Sequence, residues 1–135
     1  MQDSIFTKII KGEIPCHKIY EDDLTIAFLD IHPLKPGHVL VVPKAQVDHF
    51  EELPDADYTA LFATVKRVAK HLQEALQVKR AVVLVMGFDV PHAHVHIVPS
   101  NSGDEIQEAI AHIKQTLSAE PDHAALAALA KQLAI

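Results

Sequence analysis

The run from Pro91 to Pro99 constrains the fold more than any other part of the chain. In it His92, His94 and His96 alternate with Ala93, Val95 and Ile97. Side chains alternate between the two faces of a strand, so this pattern predicts a strand from His92 to Val98 with its histidines on one side. Successive imidazoles then stand about 7 Å apart along the strand. The opposite face, Ala, Val and Ile, is what a sheet needs in order to bury itself against another layer. The histidine face is the one left for function.

Three readings of the row compete. Three solvated or hydrogen-bonded histidines are possible, although imidazole is neither a favoured strand residue nor a good packer. A metal site is a second reading, because two histidines two apart on a strand can share one ion. No Asp or Glu interleaves with the row, however, and no outside fourth ligand is evident. The third reading is nucleophilic catalysis, in which a neutral imidazole attacks phosphorus while its neighbours orient it and meet the phosphate oxygens. An ordinary imidazole pKa of about 6.5 suits that task near neutrality.

The rest of the chain supplies the scaffold. Ser4 is placed to cap a short helix bearing Ile5, Phe6, Ile9 and Ile10, with Gly12 as its stop. Short apolar runs at Ile19 and Tyr20, Ile26 to Leu29 and Val39 to Val42 read as strands of a meander. They are broken by Glu21 to Asp23 and by Pro33, Pro36 and Gly37. From Asp55 to Val78 apolar residues recur at helical spacing, with Asp55 as the expected N-cap and Asp57 in the first turn. Ala81 to Val85 reads as a strand buried on both faces. Beyond Pro99 one amphipathic helix is expected through Ile106, Ile110, Ile113 and Leu117. A second opens at Pro121 and Asp122 and presents Leu126, Leu129 and Leu133.

Composition narrows the class. With 135 residues, 49% of them hydrophobic, residues 1–135 fit one domain with a real core. A formal net charge of -6 argues against a groove that wraps nucleic acid. The lone Cys16 closes no internal disulfide, the start lacks a secretory pattern, and no apolar run is long enough to cross a bilayer. A cytoplasmic protein with no membrane partner is expected.

The histidine row followed by two apolar residues resembles the signature of the histidine triad (HIT) superfamily of nucleotide hydrolases and transferases. The blocks Ser4–Pro15, Ile19–Asp23, Ala27–Ile31 and Pro36–Lys44 resemble that family in the same order. The resemblance implies an α+β fold: an antiparallel meander sheet of about five strands, a short N-terminal helix, one long helix and a helical C-terminal appendage. The core would span about 4–99 and the tail about 100–135. It implies His94 as the nucleophile, His92 and His96 flanking it, and His38 as a fourth histidine that orients the site. Asp30 would accept hydrogen bonds from ribose, and Ile5, Phe6, Ile9, Phe28, Leu29 and Ile31 would wall the base pocket. Periodicity alone makes Ile5, Phe6, Ile9 and Phe28 equally good core residues, Asp30 a turn residue and His38 a polar strand start. A homodimer through the long helix and the following strand is implied too.

Departures from the family pattern are as informative. Some bacterial members hold zinc with two cysteines and histidines; Ser4, Thr7 and Gln46 stand near those places here, so no structural metal and no cofactor are expected. Before the row, Asp89 stands near a position that is a hydroxyl residue in many members. It is either a solvated turn residue, a partner for His92, or a protonated acid facing the leaving group. The other histidines, His17, His32, His49, His71, His112 and His123, read as surface or packing residues. The activity that the resemblance implies is cleavage of a phosphoramidate or phosphoanhydride bond to a nucleoside monophosphate, a purine one, through a nucleotidyl-histidine. The alternatives are a nucleotide-binding interaction module and a metal-dependent hydrolase using the row.

Overall fold

The computed structural model describes residues 2–135. The elements in chain order are α1 (Ile5–Ile10), β1 (Lys18–Glu21), β2 (Thr25–Leu29), β3 (Val39–Pro43), α2 (Asp55–Leu76), β4 (Arg80–Leu84), β5 (Val95–Ser100), α3 (Gly103–Ala111), α4 (Ile113–Ser118) and α5 (His123–Leu133). The strands form one antiparallel sheet in the order β1-β2-β3-β5-β4. The fold is therefore the expected α+β meander, with β5 returning between β3 and β4.

Strand alternation gives the sheet two different faces. Ala27, Leu29, Val39, Val41, Val95 and Ile97 join Leu61, Val65, Val68 and Leu72 of α2 in the main core. Ile26, Phe28, Leu40 and Val42 face the other way and pack with Phe6 of α1. That second face carries the histidines. Gly37 sets the entry to β3 at φ +90, and a Cβ there would stand 2.6 Å from Leu76 Cδ1 and 3.2 Å from Pro99 Cγ. Only glycine offers both the conformation and the room.

The C-terminal tail, whose placement the sequence leaves open, is docked. Leu126, Ala130 and Leu133 of α5 belong to the main core beneath β1 and β2, and the Ile135 N–H donates to the Ile19 carbonyl along the edge of β1. Asp122 caps α5 as expected, accepting from the Ala125 N–H.

Four expectations are corrected. Asp55 is the first residue of α2 rather than its cap, because the Pro54 carbonyl takes the first helical bond, from the Tyr58 N–H. Strand β4 is an edge strand, not one buried on both faces; Val83 is 43% exposed because the sheet ends there. Strand β5 begins at Val95, not His92. Its ladder to β3 stops at the Val41–Val95 pair, beyond which Pro43 brings no N–H and its carbonyl takes the His92 ring proton. The single helix expected after Pro99 is two, α3 and α4. The His112 N–H and ring Nδ1–H both turn to the Glu108 carbonyl at the break, and the apolar stripe passes from β5 under Ile106 to the histidine face under Ile113 and Leu117.

Candidate active site

The hydrogen bonds fix where the protons sit on the histidine face. The Leu34 N–H donates to His38 Nδ1 at 3.0 Å, so the uncharged His38 ring carries its proton on Nε2 and directs it to His96 Nδ1 at 2.9 Å. His96 therefore keeps its own proton on Nε2. His92 donates from Nε2 to the Pro43 carbonyl at 2.8 Å and accepts at Nδ1 from the Ser4 hydroxyl at 2.7 Å. His94 donates from Nδ1 to the His92 carbonyl at 2.7 Å, so that in the neutral form of the ring Nε2 carries the lone pair. The segment that bears it is held by the Ala93 N–H on the Val47 carbonyl.

Burial governs the charges. His38 is pushed down to about 3 by desolvation and then by neighbouring His96. His96 is pushed down to about 4 by desolvation and His94, with Asp89 opposing. Burial also lowers His92, which is 0% exposed. These three rings are uncharged at neutral pH, so the 3.5 Å approach of His38 Nε2 to Asp30 Oδ2 is a contact of a neutral N–H rather than an ion pair. Desolvation raises Asp30 itself, whose Oδ1 accepts from the His32 N–H.

One cavity opens on this face. The structure brings Phe6, Asp30, His38, Asp89, His94 and His96 together around it. The Phe6 ring meets His94 edge-on, centroids 4.9 Å apart. His92 lies behind the wall, under Ser4. The remaining proposed base-pocket residues stand elsewhere. Leu29 faces the α2 side of the sheet, as alternation from Phe28 requires, and Phe28 and Ile9 pack behind Phe6. Ile31 borders a separate cleft against α5, and Ile5 is exposed. Asp89 makes no hydrogen bond to His92 and instead faces His96.

His32, Leu34, Leu40, Leu84, Met86, Val90, Ile113 and Leu117, none of them expected at the site from the sequence, complete the cavity wall. His32 and Leu34 flank the identified Asp30, so proximity in sequence was the available signal. For Ile113 and Leu117 the only signal was the apolar stripe of a tail whose position was open.

Two groups of side chains could be asked to hold a metal. Asp30, His38 and His96 converge, with ligand atoms within 4.8 Å of one another. They do not fit an ion as they stand, because His38 Nε2 carries the proton that the Leu34 N–H forces upon it. Ser4, Thr7, Gln46 and His92 also converge, but with neutral oxygen donors already committed to each other. Thr7 Oγ1 donates to Gln46 Oε1 at 2.6 Å, and the Ser4 N–H donates to the same oxygen at 2.9 Å. Among the described residues no buried side-chain nitrogen or oxygen is left without a partner. Without a thiolate or carboxylate this set does not suit zinc.

An antiparallel sheet with a helix on one face and a histidine row lining a cleft on the other defines the class to which this chain belongs. The HIT domain model matches residues 11–103, and the chain is a member of the HIT family. It is 40% identical over 104 residues to a HIT-like protein of Methanocaldococcus jannaschii, covering 74% of this chain and 81% of that one. It is 41% identical over 96 residues to the adenosine 5'-monophosphoramidase of Schizosaccharomyces pombe, covering 70% and 72%. The crystal structure of a HIT-like protein from Bartonella henselae, described as involved in cell-cycle regulation and as holding an unknown ligand, superposes with a TM-score of 0.81. That match has 30% identity and covers 98% of this chain and 97% of the other.

Proposed function

We propose that the protein hydrolyses a phosphoramidate or phosphoanhydride bond to a nucleoside monophosphate, a purine one, through a covalent nucleotidyl-His94 intermediate. The observation that carries this reading is the pairing of His94 Nδ1–H with the His92 carbonyl, which leaves Nε2 as a nucleophile at the cavity wall. The S. pombe relative named as an adenosine 5'-monophosphoramidase supports the substrate class. In the first step Nε2 forms a bond to the α-phosphorus while the bond to the leaving amine or phosphate breaks. The electron pair departs with that group, which takes up a proton from solvent. Positive charge on the ring is met by the His92 carbonyl, and the His96 Nε2–H donates to a phosphoryl oxygen. In the second step water attacks phosphorus, the phosphorus–Nε2 bond breaks with its electron pair returning to His94, and the water's proton passes to solvent as the monophosphate leaves. Asp30 accepts from ribose, and Phe6 borders the base. No metal takes part, the protein works in the cytoplasm, and it does so as a homodimer paired through α2 and β4.

Turnover of an adenosine phosphoramidate, with and without chelator, tests this. The wild type is expected to turn over equally in both, and His94→Ala to lose turnover while retaining nucleotide binding. Turnover retained by His94→Ala removes the mechanism. Loss on chelation favours the metal-dependent alternative, and binding without turnover in the wild type favours an interaction module.

A further inference from the structure

Ser4 is the N-cap of α1, far in sequence from the histidine row, yet its buried hydroxyl touches the row directly. It accepts from the Thr7 N–H at 3.0 Å, capping α1, and its single proton goes to His92 Nδ1 at 2.7 Å. Thr7 and the Ser4 backbone are both tied to Gln46 Oε1, and Gln46 Nε2 donates to the Gln2 carbonyl, which fixes the orientation of the amide. Thr7 Oγ1 also stands 3.3 Å from Ser4 Oγ and from His92 Nδ1, but the shortest contacts set the proton pattern, with Thr7 donating to Gln46 Oε1 at 2.6 Å and Ser4 to His92 Nδ1 at 2.7 Å. The end point of the network is His92, which gives its one ring proton, on Nε2, to the Pro43 carbonyl and offers its own carbonyl to His94.

We propose that Ser4, Thr7 and Gln46 form a neutral hydrogen-bonded clamp in which Ser4 is a positioning residue for the reaction. The Pro43 carbonyl can only accept and so fixes His92 in its Nε2–H tautomer, and Ser4, donating to Nδ1, holds the ring at its other end. Ser4 thereby holds the carbonyl that aims His94. The proposal rests on the reading of His94 as the nucleophile. The clamp orients His92 through fixed donors and acceptors without requiring a charged group.

Nitrogen-15 NMR of the imidazoles in the wild-type protein at neutral pH reads the clamp directly. His92 is expected protonated on Nε2 and unprotonated on Nδ1; protonation on Nδ1 overturns the proposal, whatever the variants do. In Ser4→Ala the Nδ1 resonance should move toward that of a lone-pair nitrogen without a donor. kcat should fall about tenfold to a hundredfold, the cost of a misaimed nucleophile. KM should stay within about twofold, and Ser4→Thr should restore most of kcat. A role confined to capping α1 would instead raise KM through Phe6, and an unchanged kcat in Ser4→Ala also overturns the proposal. An active His94→Ala together with an Nε2–H His92 would sink the nucleophile assignment while leaving the clamp geometry standing.

Discussion

His38 shows how one backbone donor sets the chemistry of a site. The Leu34 N–H dictates the proton on His38, and His38 dictates the proton on His96. The same burial has a cost in acid. An unfolded chain takes up a proton on this histidine at about pH 6.5, whereas the folded one refuses it until about 3. Its contribution to stability is therefore full above about pH 6.5 and is lost progressively as the pH falls toward 3; His96 behaves likewise down to about 4. The urea midpoint is expected to fall between about pH 6.5 and 5, and to fall less steeply in His38→Asn. An equal slope in the two proteins contradicts this. Asp89 poses a different question, because a carboxylate beside a phosphate is repulsive. It borders the cavity near His96, where its charge favours the imidazolium. Asp89→Ser is expected to alter leaving-group preference or the pH dependence of turnover more than nucleotide affinity. Steady-state kinetics across several leaving groups and pH values check it, and unchanged profiles return Asp89 to a turn.

Among the elements, strands and the long helix were legible because their signals are local. Ile26 to Leu29, Val39 to Val42 and the α2 stripe carry the period of the structure they form. The alternation of Ala93, Val95 and Ile97 correctly assigns the core face. What could not be read depends on partners distant in sequence. Nothing near Val83 says that the sheet ends beside it, and nothing in Ile113 and Leu117 says that α4 turns toward the cavity while Ile106 faces β5. Leu29 was assigned to the base pocket by resemblance, although its alternation with Phe28 already placed it on the other face. The wall of the candidate cavity was readable where it is made by His38, His94 and His96 and unreadable where the tail completes it. α4 buries none of its residues, and Leu117 is 52% exposed although it borders the cavity. Leu117→Asp should therefore leave thermal stability nearly unchanged and raise KM for the nucleotide substrate several-fold. Unchanged KM would detach α4 from the site.

At the level of the whole molecule the two sheet edges are treated differently. Beside β1 the chain supplies its own cover through Ile135, whereas β4 leaves Val83 and Val85 open, with Phe88 95% exposed in the loop beyond. A bare apolar edge invites pairing, and the proposed homodimer places a second copy there. Light scattering is expected to give a dimer for the wild type and a monomer for Val83→Arg; a monomeric wild type removes the proposal. The covered edge has its own consequence, which lies in time rather than space. His17 before β1 and His123 at the start of α5 touch across 106 residues of chain. A ribosome delivers β1 and β2 well before the leucines that floor them. Until α5 emerges, the first hairpin has its underside in water, and closing that long loop is an entropic cost met only once α5 is made. Docking of α5, rather than formation of the histidine row, is thus expected to complete the fold.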